Sequence, residues 1–237
     1  MNIGDLLRET FQLYRRNARI VLISTVPIIL IVTGLTALGL GELSAKINPA
    51  PPSRDLWIDL LASELVTVPL ISSILARWVY LSKRGEQTTV ADLVAGALEV
   101  FPAVLLVIVA WLTVSVVGLV TLVIPGIYVA VSWYFVVQAV VIDGDRGFAP
   151  ISRSAGVVRG HWWRTLGTGL ALWLTAAVIP QLVLTYAFTP VARSANSYAI
   201  VVAIVALARV IALPFVAIGG TVYYLQLRDS ALPRPRF

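Results

Sequence analysis

The sequence predicts an all-α membrane protein, a bundle of six transmembrane helices with three amphipathic helices at the membrane surface. Hydrophobic residues make up 59% of the 237 residues and charged residues only 13%, against about 25% charged residues in a soluble domain. So few polar side chains cannot cover a water-facing surface, which excludes a soluble globule and a disordered chain. The chain has no cysteine and one histidine, which excludes a disulfide framework and a metal site built from cysteines or paired histidines.

Long uncharged stretches define four of the six spans. A transmembrane helix needs about 20 apolar residues to cross about 30 Å of hydrocarbon. The stretch 20–40 is the first span, and 165–192 is the fifth. The stretch 100–142 is long enough for two spans. We expect it to turn at Pro125-Gly126, because proline removes a backbone donor and glycine adopts the left-handed conformation of a tight reversal.

The other two spans carry charges. The second is predicted at 57–81 and includes Glu64, and the sixth at 198–227 includes Arg209 near its middle. With these, the whole chain 1–237 forms one membrane domain.

The distribution of basic residues predicts the orientation of the chain. Of 18 Lys and Arg residues, 14 fall in the N-terminal segment, the connections after the second and fourth spans, and the tail 228–237. Three fall on the opposite side. The excess of basic residues in cytoplasmic segments therefore predicts cytoplasmic N and C termini in the cell (inner, or plasma) membrane. The basic residues are spread along a membrane face, which favours contact with anionic lipid headgroups over nucleic acid.

An amphipathic segment precedes the first span and recurs later in the chain. Its apolar residues fall within an arc of about 140° on a helical wheel. They are Ile3, Leu6, Leu7, Phe11 and Tyr14. The corresponding residues 87 positions later are Val90, Leu93, Val94, Leu98 and Phe101. Each copy begins with a capping residue, Asn2 or Thr89, that has an aspartate three positions on, which is typical of a helix start.

A weaker third copy lies at an offset of 144 residues and includes Ile151, Val157, Val158 and Arg159. The chain is therefore predicted to consist of three units, 1–81, 88–142 and 147–227. Each unit is a surface-lying amphipathic helix followed by a two-span hairpin, and such helices rest at the headgroup boundary.

Two charges within the predicted spans form the first candidate site. Glu64 and Arg209 would lie about 10 Å and about 16 Å from the same outer side, where an isolated charge is costly. We expect them to pair and to join the second and sixth spans. The pair is either an ion pair that links the two helices structurally or a polar site that binds a lipid headgroup or a substrate ion.

A second candidate site lies at the cytoplasmic boundary, where arginines reach lipid phosphates and tryptophans anchor the aromatic belt. Its residues are Arg15, Arg16, Arg159, His161, Trp162, Trp163 and Arg164. The lone His161 has no serine–acid set near it in the sequence, so we interpret it as an interfacial residue. The chain contains no nucleotide-binding, zinc-protease or hydrolase motif, so we expect no catalytic residue, no cofactor and no metal.

Four stretches resemble a broad bacterial and archaeal family of six-span inner-membrane proteins. They are 6–17 (LLRETFQLYRRN), 123–128 (VIPGIY), 154–163 (SAGVVRGHWW) and 222–228 (VYYLQLR). The family is named after the membrane domain of glycerophosphoryl diester phosphodiesterase and includes YciC-like proteins. Ala155 stands where the family often has a bulkier aromatic residue. The resemblance implies the membrane module alone, because phosphodiester cleavage in such fusions belongs to a separate soluble domain.

Together these features predict a non-enzymatic multi-pass membrane protein. We expect an accessory or scaffold protein, or a lipid-interacting module, whose partners are membrane lipids or other membrane proteins. The alternative is a small transporter or permease with its polar centre at Glu64 and Arg209. The sequence does not indicate an oligomeric state.

Overall fold

The computed structural model describes residues 2–46, 63–178, 182, 186 and 198–231. Every regular element within these ranges is helical. The α-helices are α1 (Ile3–Arg16), α2 (Ala18–Lys46), α3 (Val68–Lys83), α4 (Val90–Thr121), α5 (Val123–Ser132), α6 (Val136–Ile142), α7 (Ala149–Val158), α8 (Trp162–Trp173) and α9 (Tyr198–Ala231). The π-helical turns Ser63–Thr67 and Leu174–Val178 precede α3 and follow α8.

The chain is an all-α membrane bundle, as the composition predicts. Five helical segments in the described ranges are long and apolar enough to cross a bilayer. They are Ala18–Leu35, Leu65–Lys83, Val90–Thr121, Val123–Ile142 and Ala206–Ser230. The predicted fifth span, 165–192, includes most of α8, but most of the span beyond residue 178 lies outside the described residues. The count of six spans therefore stays a prediction.

The turn between the third and fourth spans lies at Leu122, three residues before the predicted Pro125-Gly126. Leu122 is extended (φ −147°, ψ 98°), and Pro125 sits in the first turn of α5, where its missing N–H group is not needed. Gly126 serves the close approach of the two helices, because a Cβ there would lie 2.6 Å from the carbonyl carbon of Gly118. The prediction of this turn was therefore wrong in position.

The first two predicted amphipathic segments have the same pattern of exposure. Leu6 and Leu93 are buried, with 2% and 0% of their surface exposed, whereas Phe11 and Leu98 are 54% and 56% exposed. The other three matched pairs are half-buried in both copies. Both predicted caps are confirmed, since the carboxylates of Asp5 and Asp92 accept the N–H groups of their N-cap residues at 3.3 Å.

The second unit nevertheless differs from the prediction of a separate surface helix. Its amphipathic segment and the third span form the single helix α4, which is about 48 Å long. In the first unit α1 ends at Arg16, and the side-chain amide of its C-cap residue Asn17 donates to the Leu13 carbonyl at 3.1 Å and so competes with helical hydrogen bonding. Val104, which is 87 positions later, is buried and offers no such bond, so the helix continues.

The third unit repeats the break of the first. Helices α2 and α8 begin at Ala18 and Trp162, which are separated by the same 144 residues as the weak third copy. Gly160 takes a positive φ of 81° between α7 and α8, a conformation that favours glycine. Thr10 and Ser154 occupy equivalent positions in α1 and α7, and both are fully buried. These small polar residues let the two helices pack closely against the bundle.

Candidate functional site

The fourth predicted span is interrupted where α5 ends and α6 begins, at residues 133–135. There the N–H groups of Tyr134 and Val136 donate to carbonyls three residues back, at 3.2 Å each. In a continuous α-helix these bonds would go four residues back. The tighter spacing leaves the Ser132 carbonyl and the Phe135 N–H group without a helical partner.

Ser154 of α7 supplies both missing partners. Its hydroxyl donates to the Ser132 carbonyl at 2.9 Å and accepts the Phe135 N–H group at 3.0 Å. Ser154 has no exposed surface, so the bridge is shielded from solvent and lipid. Non-helical backbone at membrane depth is tolerated only where protein satisfies its polar groups, and this hydroxyl does so.

Two adjoining cavities lie beside the interruption, with volumes of about 240 and about 270 Å³. They share the lining residues Trp111, Tyr134, Trp173 and Val216. Trp173 is 57% exposed on the outer surface of the bundle, so the cavities open sideways, towards the lipid that surrounds the spans. Their walls are mainly aromatic and aliphatic, which is typical of pockets for apolar ligands.

A small polar patch interrupts this apolar lining. Gln138 lines the larger cavity, is only 6% exposed, and its Oε1 atom has no hydrogen-bond partner. A Cβ added at Gly220 would lie 3.7 Å from both the Nε2 atom of Gln138 and the Oη atom of Tyr134. The two polar side chains therefore both lie next to Gly220. Buried polar groups are almost always hydrogen-bonded, so the amide with an unpaired oxygen is an unusual polar feature of this cavity wall.

A charged cluster, centred on Asp143, lies where α6 and α9 end. Asp143 accepts hydrogen bonds from the Tyr224 hydroxyl and from Arg228 Nη1, the latter at 3.1 Å. Arg153 of α7 approaches Asp143 at 3.7 Å and Asp145 at 3.3 Å. The hydrogen bond with Asp145, together with the charges of both aspartates, raises the pKa of the Arg153 guanidinium above its ordinary value. Arg153 therefore stays charged at every physiological pH.

The Asp143 cluster extends to α3 through an aromatic ring. The guanidinium of Arg228 lies 5.6 Å from the ring centroid of Tyr80, and that of Arg84 lies 5.4 Å from it. Arg84 also donates to the Tyr80 hydroxyl at 2.8 Å. Such cation–π contacts are favourable, so the cluster connects the ends of α3, α6, α7 and α9.

A cavity of about 580 Å³ lies beside the cluster, with Asp145, Arg153 and Arg228 in its wall. Both arginines already have carboxylate partners at 3.1–3.4 Å. An anion would have to displace those carboxylates, so the arrangement is better suited to holding helix ends together than to binding an anionic ligand.

Only one of the two side chains of the predicted Glu64–Arg209 pair is described. Arg209 is half-buried in α9, and Glu64 belongs to the π-helical turn before α3, but its side chain lies outside the described residues. Their pairing stays a prediction.

The predicted interfacial residues occupy helix ends. Arg15 and Arg16 are exposed in the last turn of α1, where a positive charge complements the helix dipole. His161 is exposed just before α8, and its carbonyl accepts the N–H group and hydroxyl of Thr165 at 2.8 and 3.1 Å. His161 is therefore the N-cap residue of α8. Arg159 and Arg164 are also exposed.

The two adjacent tryptophans behave differently from each other. Trp162 stacks on Tyr128 at 5.9 Å and donates to the Tyr128 carbonyl at 3.3 Å. Trp163 is 79% exposed and contacts Trp162 edge to face at 4.7 Å. Trp162 therefore fixes α8 against α5, while Trp163 is free to contact lipid.

Sequence reasoning missed Gln138, Ser154 and Asp143. One signal was available for Gln138, because a lone amide within an uncharged span is unusual and polar residues there mark functional sites. The partners of Ser154 lie 19 and 22 residues away in sequence, and Asp143 and Arg228 are 85 apart, so no local pattern reveals those contacts.

Comparison with models of protein families, with curated proteins and with solved structures finds no match to this chain.

Proposed function

We propose that this protein is a non-enzymatic module of the cell membrane that binds a membrane lipid in the cavities beside the interrupted span. The observation that carries the proposal is a laterally open apolar cavity whose wall holds a buried amide without a hydrogen-bond partner. An acyl or alkyl chain fits between Trp111, Trp173 and Val216, and its polar end fits beside Gln138. The protein would act as an accessory or scaffold that responds to, or presents, that lipid.

An interrupted span is also a feature of transporters, where unwound backbone carbonyls coordinate ions, and this favours transport as the second candidate. The carbonyl that the interruption exposes here is taken by Ser154 at 2.9 Å. Among the residues that the structure describes, those that line the two cavities carry no charge. Both observations support lipid binding over transport of an ion through this part of the bundle.

The proposed location is the inner, or plasma, membrane, with both termini in the cytoplasm. The basic residues of the N-terminal segment, of the connections after the second and fourth spans, and of the tail support this orientation. It also agrees with the resemblance to the six-span family, which implies a membrane module without a phosphodiesterase domain.

Photo-crosslinking tests the proposal. The purified full chain is placed in nanodiscs with lipids whose acyl chains carry a diazirine, one lipid each with an anionic, a zwitterionic and an uncharged headgroup. Labelled peptides are then mapped by mass spectrometry. We expect at least one lipid to label the peptides that contain Tyr134, in the interruption after α5, and Trp173, at the end of α8, more strongly than the exposed α4–α5 turn around Val120, which is 82% exposed.

A cavity-filling variant provides the control. Gly169 lines the smaller cavity, and a Cβ there would lie in ordinary contact with Tyr134 at 3.6 Å. Gly169→Leu should therefore lower the labelling of the cavity to the level of the α4–α5 turn. Gly34→Leu is the matched control, because a Cβ at Gly34 meets no atom of the described residues within 4 Å. Labelling by all three lipids that is uniform over the lipid-facing surface would contradict the proposal, and solute flux through vesicles that depends on Gln138 would favour transport.

A further inference from the structure

Side chains from two other helices hold the interrupted segment 133–135. The hydroxyl of Ser154, on α7, bridges two backbone groups of the interruption at 2.9 and 3.0 Å. The Ala130 carbonyl would accept the Tyr134 N–H group in a regular α-helix. It accepts the indole N–H group of Trp111, on α4, at 3.1 Å instead. Trp111 lines both cavities, so the surface helix α7 and the cavity wall fix the same segment.

The interrupted segment itself forms part of both cavities. Tyr134 lines both of them, and Trp133 lines the larger one. Hydrogen bonds to carbonyls three residues back turn the chain by about 120° per residue, against about 100° in an α-helix. A return of these three residues to a regular helix would therefore rotate α6 by about 60° relative to α5. Both rings would leave their present positions, and the cavities would change shape.

We infer that Ser154 is a positioning residue for the cavities, and that ligand binding in them is coupled to the docking of α7 on the bundle. The inference rests on the proposed lipid-binding function and adds a means of regulating it. A ligand that fits the present cavities stabilises the interrupted segment, and the interrupted segment requires the Ser154 hydroxyl. Occupancy of the cavities and docking of α7 therefore favour each other.

The regular α-helix is the state that competes with the interrupted segment. In that state the Phe135 N–H group would donate to the Val131 carbonyl, and the Val136 N–H group to the Ser132 carbonyl. None of the residues 130–137 is proline or glycine, so the local sequence does not oppose a regular helix. The choice between the two states therefore depends on the side chains that contact the segment, and a ligand shifts it by contacting one state better than the other.

Helix α7 is the part of this arrangement that lies at the surface. Ser152 and Arg153 are exposed, and Arg153 pairs with Asp145, beyond the end of α6, at 3.3 Å. The next residue, Ser154, has no exposed surface. One short helix thus joins the charged end of the bundle to the cavity wall. A change that moves α7 away from the bundle would remove the bridging hydroxyl and lower the affinity for the ligand without touching it.

Crosslinking measures the effect of α7 on the cavities. The full chain is placed in phosphatidylcholine nanodiscs with phosphatidylglycerol, phosphatidylethanolamine or diacylglycerol that carries a diazirine in one acyl chain. Ser154→Ala should lower labelling of the peptides that contain Tyr134 and Trp173 by about fivefold or more, which is the usual size of coupling between two sites. Ser152→Ala removes an exposed hydroxyl from the same helix, so it is the matched control and should leave labelling unchanged.

Hydrogen–deuterium exchange measures the reverse effect, which linkage between two sites requires. The lipid that labels the cavities most strongly should slow exchange of the Phe135 amide and of the α7 peptide 149–158 in the parent protein, relative to phosphatidylcholine alone. A purely structural role of Ser154 predicts no such dependence on the lipid. Gly169→Leu, which fills the smaller cavity, should abolish the dependence. The measurement on the parent protein keeps the test valid if Ser154→Ala does not fold.

The other outcomes separate the inference from the proposed function. If a lipid labels the cavities equally in the parent protein and in Ser154→Ala, the inference fails while the proposed function stands. If Ser154→Ala lowers labelling but no lipid changes the exchange of the Phe135 amide in the parent protein, Ser154 stabilises the fold without coupling, and again the inference fails alone. If no lipid labels the cavities of the parent protein, both proposals fail.

Discussion

At the scale of single residues, two adjacent glycines in α9 have different surroundings, one in the packed core and one beside a cavity. A Cβ at Gly219 would overlap Leu172 Cδ2 and would lie 3.2 Å from Thr10 Oγ1, and both atoms belong to residues with no exposed surface. A Cβ at Gly220 would instead enter the space beside Gln138. The sequence predicts the helix and its apolar character but not these roles, because each depends on which helix packs opposite.

Gly219→Ala should destabilise the protein. The added methyl group overlaps Leu172 in a packed core, and overpacking of this kind costs about 1–3 kcal/mol. The higher helix propensity of alanine offsets about 1 kcal/mol of that cost. We therefore expect a lower unfolding temperature in detergent, measured by the intrinsic fluorescence of the seven tryptophans.

Gly220→Ala is the internal comparison for this measurement. Its new methyl group meets its neighbours at 3.7 Å or more, so its unfolding temperature should equal or exceed that of the parent protein. Equal unfolding temperatures for the two variants would show that α1 and α8 do not pack against α9 at Gly219.

At the scale of elements, the helix starts are more predictable than the interruptions. The caps at Asn2 and Thr89 depend on residues three positions apart, and both are confirmed. The interruption after Ser132 contains no proline or glycine, so the local sequence does not predict it. It is stabilised instead by Ser154, which belongs to another helix. Pro125-Gly126 predicted a turn at that position, but the proline lies in the first turn of α5 and the chain reverses at Leu122.

Ser154→Ala should open the interrupted span locally. The change leaves the Ser132 carbonyl and the Phe135 N–H group without partners, and an unsatisfied buried polar group costs about 1–3 kcal/mol. Hydrogen–deuterium exchange should therefore be faster at the Phe135 amide than in the parent protein. Ser152→Ala is the control, because Ser152 lies on the exposed face of the same helix. Unchanged exchange at Phe135 in Ser154→Ala would contradict the bridging role.

At the scale of the whole molecule, long-range contacts gather four chain segments at one end of the bundle. Lys83 pairs with Glu9 at 2.9 Å, which joins the end of α3 to α1. Arg228 pairs with Asp143 at 3.1 Å, and its guanidinium also lies over the ring of Tyr80. These are the basic segments that the sequence assigns to one side of the membrane. Charge counting identified the shared side, but the partners are 74 and 85 residues apart and only the fold brings them together.

Because these segments share one end, the side reached by a label in any of them fixes the orientation of all. The chain has no cysteine, so Gln87→Cys, in the exposed connection before α4, carries the only thiol of its variant. We expect an impermeant maleimide to label it only after the cells are permeabilised, since basic segments remain in the cytoplasm. Ser53→Cys, in the connection predicted to face outward, should react in intact cells, and the parent protein should not react at all. Labelling of Gln87→Cys from outside would place the Asp143 cluster in the outer leaflet and would overturn the proposed location of both termini.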